Sequence, residues 1–118
     1  MSTTNFKDLI VWQKAHLLVL NIYKLTCDFP KSETYGLTSQ LRRSAISIVA
    51  NIVEGYKKKS KLEKLRFFNI SQRSLEETRY YLMLANDLDY YNTNVLINDI
   101  EEISRMLNSY CNAIIKSN

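Results

Sequence analysis

The strongest chemical signal in the sequence is a cluster of positive charge. Within positions 57–66 only Glu63 opposes six basic residues, which are Lys57, Lys58, Lys59, Lys61, Lys64 and Arg66. Ammonium and guanidinium groups at this density suit contacts with the phosphates of a nucleic acid, and Arg73, seven residues beyond Arg66, extends the series. The pattern therefore indicates a candidate nucleic-acid-binding surface. A solvated turn would also carry lysines, so both interpretations stay open at this point.

The charge of the chain is unevenly distributed. Residues 42–79 contain ten basic and four acidic side chains, whereas residues 87–102 contain five acidic side chains and no basic one. The formal net charge of +4 therefore conceals one basic and one acidic part. The sequence has no recognition-helix motif and no aromatic sheet platform, which favours contacts with phosphates of RNA or DNA over the reading of bases. The alternative function is a protein-interaction scaffold whose basic face meets an acidic partner, such as a polymerase.

Residues able to catalyse a reaction or to bind a metal are scarce. His16 is the only histidine, so the paired Glu-x-x-His motifs of di-iron bundles cannot form, and no zinc-ligand spacing occurs. Two glycines are also too few for a loop that cradles phosphates. The sequence predicts a protein without enzymatic activity, metal or cofactor.

The elements that position these side chains are predicted to be helices. Apolar residues recur in alternating steps of three and four, and four predicted helices cover residues 11–29, about 38–55, about 61–88 and 96–114. Pro30 ends the first helix, and Ser60 with Glu63 fits a capping box at the start of the third. We predict an all-α chain in which residues 1–118 form one domain, an up-down-up-down four-helix bundle.

The apolar surfaces of the first two predicted helices are broader than a single packing face requires. On the second helix they extend beyond the ~100° stripe that is typical of a simple surface helix. Its apolar residues are Leu41, Ala45, Ile46, Ile48, Val49, Ile52, Val53 and Tyr56. The excess width predicts either self-association of the bundle or an unusually thick core.

Arg42 lies at the flank of this apolar arc, and we expect its side chain to be partly buried. A buried guanidinium needs a partner. An antiparallel pairing of the second and third helices, centred near Lys59, places Glu76 opposite Arg42. The sequence therefore predicts a structural ion pair between Arg42 and Glu76, with Glu77 as the second choice.

The sequence also bears on localisation. Residues 1–13 lack the pattern of a secretory signal, and the longest purely apolar run covers only residues 17–20, far below the ~20 residues of a membrane-spanning helix. We therefore expect a cytoplasmic protein.

Three stretches carry a resemblance to a known family. They are residues 36–68 with the sequence GLTSQLRRSAISIVANIVEGYKKKSKLEKLRFF, residues 6–15 with FKDLIVWQKA, and residues 74–90 with SLEETRYYLMLANDLDY. Through them the chain resembles the four-helix bundle family of 23S rRNA intervening-sequence proteins. The accessory proteins of diversity-generating retroelements are related to that family and share these features.

The resemblance implies a small bacterial four-helix bundle that assembles into a homopentameric barrel, has no enzymatic activity and carries a basic surface for nucleic acid. In the retroelement relatives the bundle partners a reverse transcriptase and its RNA. Two positions depart from the family pattern, because Val49 stands where relatives usually have a proline and Arg73 where they tend to have a small residue. A kink in the second helix should be weaker here, and Arg73 is a feature of this chain.

Overall fold

A computed structural model describes residues 5–117. Its four α-helices are α1 (Ile10–Thr26), α2 (Leu37–Lys57), α3 (Lys61–Asp87) and α4 (Asn94–Lys116), and short 3-10 turns occupy Phe6–Asp8 and Lys31–Glu33. No strand occurs in this part of the chain. The all-α class and the four predicted helices are confirmed. Residues 1–4 and 118, which belong to the predicted domain, lie outside the described residues.

The four helices pack side by side around one hydrophobic core. Each helix contacts its neighbours in sequence, and α1 also contacts α4, which closes the arrangement. Every helix contributes one apolar stripe at helical spacing, and the fully buried aliphatic and aromatic side chains include Leu18, Ile22, Leu41, Ile48, Ile52, Phe68, Leu75, Leu82, Ile100, Ile103 and Leu107. Burial of each such side chain contributes about 1.5–3 kcal/mol, so the stripes are the main force that holds the helices together. Between residues 5 and 117, no helix is both long and apolar enough to cross a membrane.

Among the described helices, α2 and α3 share the most extensive contact. Gly55 lies against the ring of Phe68, and a Cβ atom added at Gly55 would come within 2.6 Å of the ring. Small hydroxyl side chains also lie in this contact and pair across it, with Thr78 Oγ1 donating to Ser44 Oγ at 2.8 Å and Ser74 Oγ to Ser47 Oγ at 2.9 Å. Because these side chains are short and hydrogen-bonded, the two backbones approach closely without leaving buried polar groups unpaired.

The start of α2 is tied to the connection between α3 and α4. Gly36 is the N-cap residue of α2, and it provides no side-chain cap. Instead the Glu33 carboxylate accepts hydrogen bonds from the backbone N–H of Leu37 at 3.0 Å and from the Tyr90 hydroxyl at 2.9 Å. The bonds from Leu37 and then Tyr90 lower the pKa of Glu33. The α1–α2 connection is thereby joined to the residues that follow α3.

The predicted ion pair between Arg42 and Glu76 is wrong. Arg42 is partly buried as expected, but its Nε donates to Thr26 Oγ1 at 2.9 Å, on α1. Glu76 contacts Arg79 at 3.6 Å on its own helix. The second choice is also wrong, because Glu77 pairs with Arg43 at 3.3 Å. Successive helical residues differ by about 100° in direction, so Arg43 faces α3 whereas Arg42 faces α1.

Candidate nucleic-acid interface

The basic residues are brought together by a tight reversal of the chain. Only residues 58–60 separate α2 from α3. The Ser60 hydroxyl accepts a hydrogen bond from the backbone N–H of Glu63 at 3.2 Å, which confirms the N-cap part of the predicted capping box. The Glu63 carboxylate contacts Arg66 at 3.5 Å. The lysines of the turn therefore lie at one end of the bundle.

We call the seven predicted residues the basic patch, which consists of Lys57, Lys58, Lys59, Lys61, Lys64, Arg66 and Arg73. Three of its members, Lys57, Lys59 and Arg73, are exposed and make no hydrogen bond or ion pair within residues 5–117. Their charges are therefore available to an anionic ligand.

An aromatic ring lies beside two other members of the basic patch. The Lys58 ammonium is 5.1 Å from the centroid of the Phe67 ring, and the Arg66 guanidinium is 5.6 Å from it. Such cation–π contacts restrain long side chains without neutralising their charge. The sequence analysis did not identify Phe67. Two adjacent residues of a helix cannot both face the core, so the Phe67-Phe68 pair could have indicated that one ring lies near the surface.

Two members of the basic patch are engaged within the bundle. The Lys64 ammonium donates to the carbonyl oxygens of Tyr56 at 2.8 Å and Gly55 at 3.3 Å, where it satisfies the end of α2. Burial lowers the pKa of Lys64. Lys61 donates to the carbonyl oxygen of Ser117 beyond the end of α4. These two ammonium groups are less available to a ligand than the turn lysines.

A stripe of cations continues from the turn along the outer face of α3. Arg66 and Arg73 are both exposed and are two helical turns apart, about 10.5 Å along the axis. The surface between them is a shallow depression lined also by Leu62, Glu63, Leu65, Asn69 and Gln72. Tyr80, seven residues further along, is exposed as well, so an aromatic ring continues this face of α3.

The acidic segment lies at the other end of the bundle. It spans the end of α3 and the first half of α4. Because α3 is 27 residues long, its last residues lie about 40 Å from its basic start. Burial, and next the charge of Glu102, raise the pKa of Asp99. Glu102 is itself paired with Lys14 at 2.9 Å. The turn lysines and the acidic residues that end α3 thus lie at different ends of the folded molecule.

His16, the other residue considered for catalysis, packs against an aromatic ring. The His16 ring stacks on the Trp12 ring with centroids 4.9 Å apart and an angle of 9° between the planes. Over residues 5–117, no three His, Cys, Asp or Glu side chains are grouped in a way that would hold a metal ion.

Fold and surface together define an α-helical bundle with one strongly basic end. The chain belongs to the 23S rRNA-intervening sequence protein family, whose model matches residues 7–109. The resemblance found in the sequence is thereby confirmed.

A solved structure supports the same relationship. The crystal structure of a protein of unknown function from the S23 ribosomal protein family of Bacteroides thetaiotaomicron superposes with a TM-score of 0.77 at 27% sequence identity. The match covers 86% of this chain and 98% of that one. No curated protein matches the sequence.

Proposed function

We propose that the chain is a non-enzymatic, homo-oligomeric protein that binds RNA or DNA through phosphate contacts of the basic patch. The observation that carries this proposal is the presence of three exposed, unpaired cations, Lys57, Lys59 and Arg73, around the restrained side chains of Lys58 and Arg66. Cations placed in this way attract a polyanion without requiring a particular base sequence. We also propose that the protein is bacterial, forms a single domain and acts in the cytoplasm.

Self-association is the second part of the proposal. An apolar groove of about 260 Å³ runs between α1 and α2 and is lined by His16, Val19, Ile46, Val49 and Ala50. Ile46 is 46% exposed and lies beside the partly buried side chains of Val19 and Val49, so the groove presents a contiguous apolar surface that a partner can cover. We propose that a second copy of the chain covers this groove, and that five copies form a ring, as the family resemblance implies.

Assembly and charge support each other in this proposal. In a ring with rotational symmetry every copy carries its basic patch at the same height along the ring axis. Five patches would then form one continuous basic rim, which raises the local potential and the avidity for a long polyanion. A reverse transcriptase that holds RNA would be a partner of matching chemistry.

The dependence of binding on salt tests the proposal. The triple substitution Lys57→Gln, Lys58→Gln and Lys59→Gln should weaken binding about equally for unrelated nucleic-acid sequences. Removal of each lysine–phosphate interaction should also reduce the slope of log K against log salt by roughly 0.7 for single strands and 0.9 for duplex DNA. Fluorescence anisotropy titrations at several salt concentrations measure both quantities.

A matched control removes the same charge elsewhere. Lys24→Gln, Lys31→Gln and Arg105→Gln alter three exposed cations outside the basic patch and should leave the slope nearly unchanged. Equal slopes for the wild-type protein and the Lys57, Lys58 and Lys59 variant would refute the proposed site. If the wild-type protein binds no nucleic acid at all, the alternative of a scaffold for an acidic protein partner is favoured.

A further inference from the structure

A second basic feature lies far from the basic patch, where α2 begins. A cleft of about 490 Å³ opens between the second half of α1 and the first turns of α2. It borders the apolar groove proposed for self-association, with which it shares Ile46. Its other lining residues are Tyr23, Thr34, Tyr35, Thr38, Ser39, Arg42 and Arg43. Residues 42 and 57 are fifteen positions apart on one helix, which separates the cleft from the turn lysines by about 22 Å.

The guanidinium of Arg42 is held in this cleft by neutral groups alone. Its Nε donates to Thr26 Oγ1 at 2.9 Å, its Nη2 to the carbonyl oxygen of Tyr23 at 3.4 Å, and its Cζ lies 4.4 Å from the centroid of the Tyr23 ring. None of the described carboxylates forms an ion pair with it, and its Nη1 makes no hydrogen bond within residues 5–117. A positive charge that is held in place beside a cleft and has no counter-charge attracts an anion.

Two carboxylates near the cleft, those of Glu77 and Glu33, do not neutralise the charge of Arg42. Glu77 accepts hydrogen bonds from Arg43 at 3.3 Å and from the Tyr81 hydroxyl at 3.0 Å. Glu33 is held by the backbone N–H of Leu37 and by the hydroxyl of Tyr90. Both acidic groups therefore already have donors of their own, and the charge of Arg42 remains unmatched.

The other groups of the cleft indicate which anion fits. The hydroxyl groups of Thr38 and Ser39 make no hydrogen bond among the described residues, so with Arg42 Nη1 they offer donors from separate positions. Three donors suit the three terminal oxygens of a phosphate monoester better than the two oxygens of a carboxylate. The Tyr35 ring is 95% exposed at the edge of the cleft and offers a face on which a nucleobase can stack.

We propose that this cleft binds the phosphate of a nucleoside monophosphate, with Arg42, Thr38 and Ser39 contacting the phosphate and Tyr35 contacting the base. The same chemistry is offered by a free nucleotide and by the phosphorylated end of a strand. This site is separate from the basic patch and does not depend on it.

Calorimetric titration of the full chain with adenosine 5′-monophosphate and adenosine tests the site. The monophosphate should bind at least about ten-fold more tightly, because adenosine lacks the group that pairs with Arg42. A 5′-phosphorylated tetranucleotide compared with its 5′-hydroxyl form separates the two sources of the phosphate. If both phosphorylated ligands bind, the site accepts either source, and if only one binds, that source is the ligand.

Substitutions in the cleft test which side chains contact the phosphate. Arg42→Met keeps the apolar stem and should abolish the preference for the phosphorylated ligand, and Thr38→Val with Ser39→Ala, at the start of α2, should weaken it. Should Arg42→Met fail to fold, the double variant and the shift of the Arg42 Nε–H resonance on addition of the monophosphate provide the same information. The Lys57, Lys58 and Lys59 variant should retain the preference, so failure of the basic patch and failure of this site are distinguishable.

Three results would overturn the proposal. They are equal affinity for the monophosphate and adenosine, an unchanged preference in the Arg42→Met protein, and loss of assembly in that protein without any binding of the monophosphate. The last result would mean that an acidic side chain of another copy occupies the cleft.

Discussion

Phe68→Ala should lower the free energy of unfolding by about 3–5 kcal/mol, the largest loss expected from a single substitution in this chain. The Phe68 ring is fully buried between α2 and α3, and it meets the Tyr110 ring edge-on with centroids 5.3 Å apart. Because Gly55 presents no side chain to fill the space, truncation leaves a cavity that the close contact of the two helices cannot collapse. Denaturation by urea, followed by circular dichroism, measures the change.

The adjacent residue provides the matched control. Phe67→Ala removes the same ring from a half-buried position beside Lys58 and Arg66, so the loss should be about 1 kcal/mol or less. Gly55→Ala should also destabilise the protein, although alanine normally favours a helix by about 1 kcal/mol over glycine, because its Cβ would overlap the Phe68 ring. Similar losses for the two phenylalanines would contradict this packing.

Ile46→Glu should convert the assembled protein to a monomer. Ile46 lies in the apolar groove between α1 and α2 that we propose to be covered by a second copy. A carboxylate introduced there remains solvated in the monomer, where the side chain is about half exposed, but would have to be buried in the assembly. Light scattering should give about five times 13.8 kDa for the wild-type protein and 13.8 kDa for the variant.

The control for assembly is Val95→Glu. Val95 is 72% exposed in the first turn of α4, where an acidic side chain suits the helix dipole, so the mass should stay that of the wild-type protein. A monomeric mass for the wild-type protein at micromolar concentration would refute self-association. An assembled Ile46→Glu protein would place the contact between copies on another face.

The helices could be predicted from the sequence because their signals are local. The spacing of Val11, Ala15 and Leu18 indicates which face of α1 is buried, and all three are buried. The capping signal at Ser60 likewise depends on residues within one helical turn. Val49 lies within α2, which is continuous from Leu37 to Lys57.

Side-chain partners are harder to predict, because they depend on how helices are rotated against one another. The predicted antiparallel pairing of α2 and α3 is nearly correct. An error of one position on each helix was enough to make the ion pair wrong, because Arg43 pairs with Glu77 of α3 whereas Arg42 contacts α1. The role of Lys64 at the end of α2 is hidden for the same reason, since only the fold brings its ammonium to the carbonyl oxygens of residues 55 and 56. The basic patch is visible in the sequence as charge, but the availability of each charge is not.

The close pairing of α2 and α3 also has a consequence for the order in which the chain folds. Only residues 58–60 separate these helices, so their contact closes a short loop at little entropic cost, whereas the contact of α1 with α4 joins the two ends of the sequence. We infer that the α2–α3 hairpin forms in the transition state and that α1 and α4 dock onto it later. Truncation of Leu75 should then mainly slow folding and truncation of Leu18 mainly speed unfolding, and chevron plots in which both act on the same limb would contradict that order.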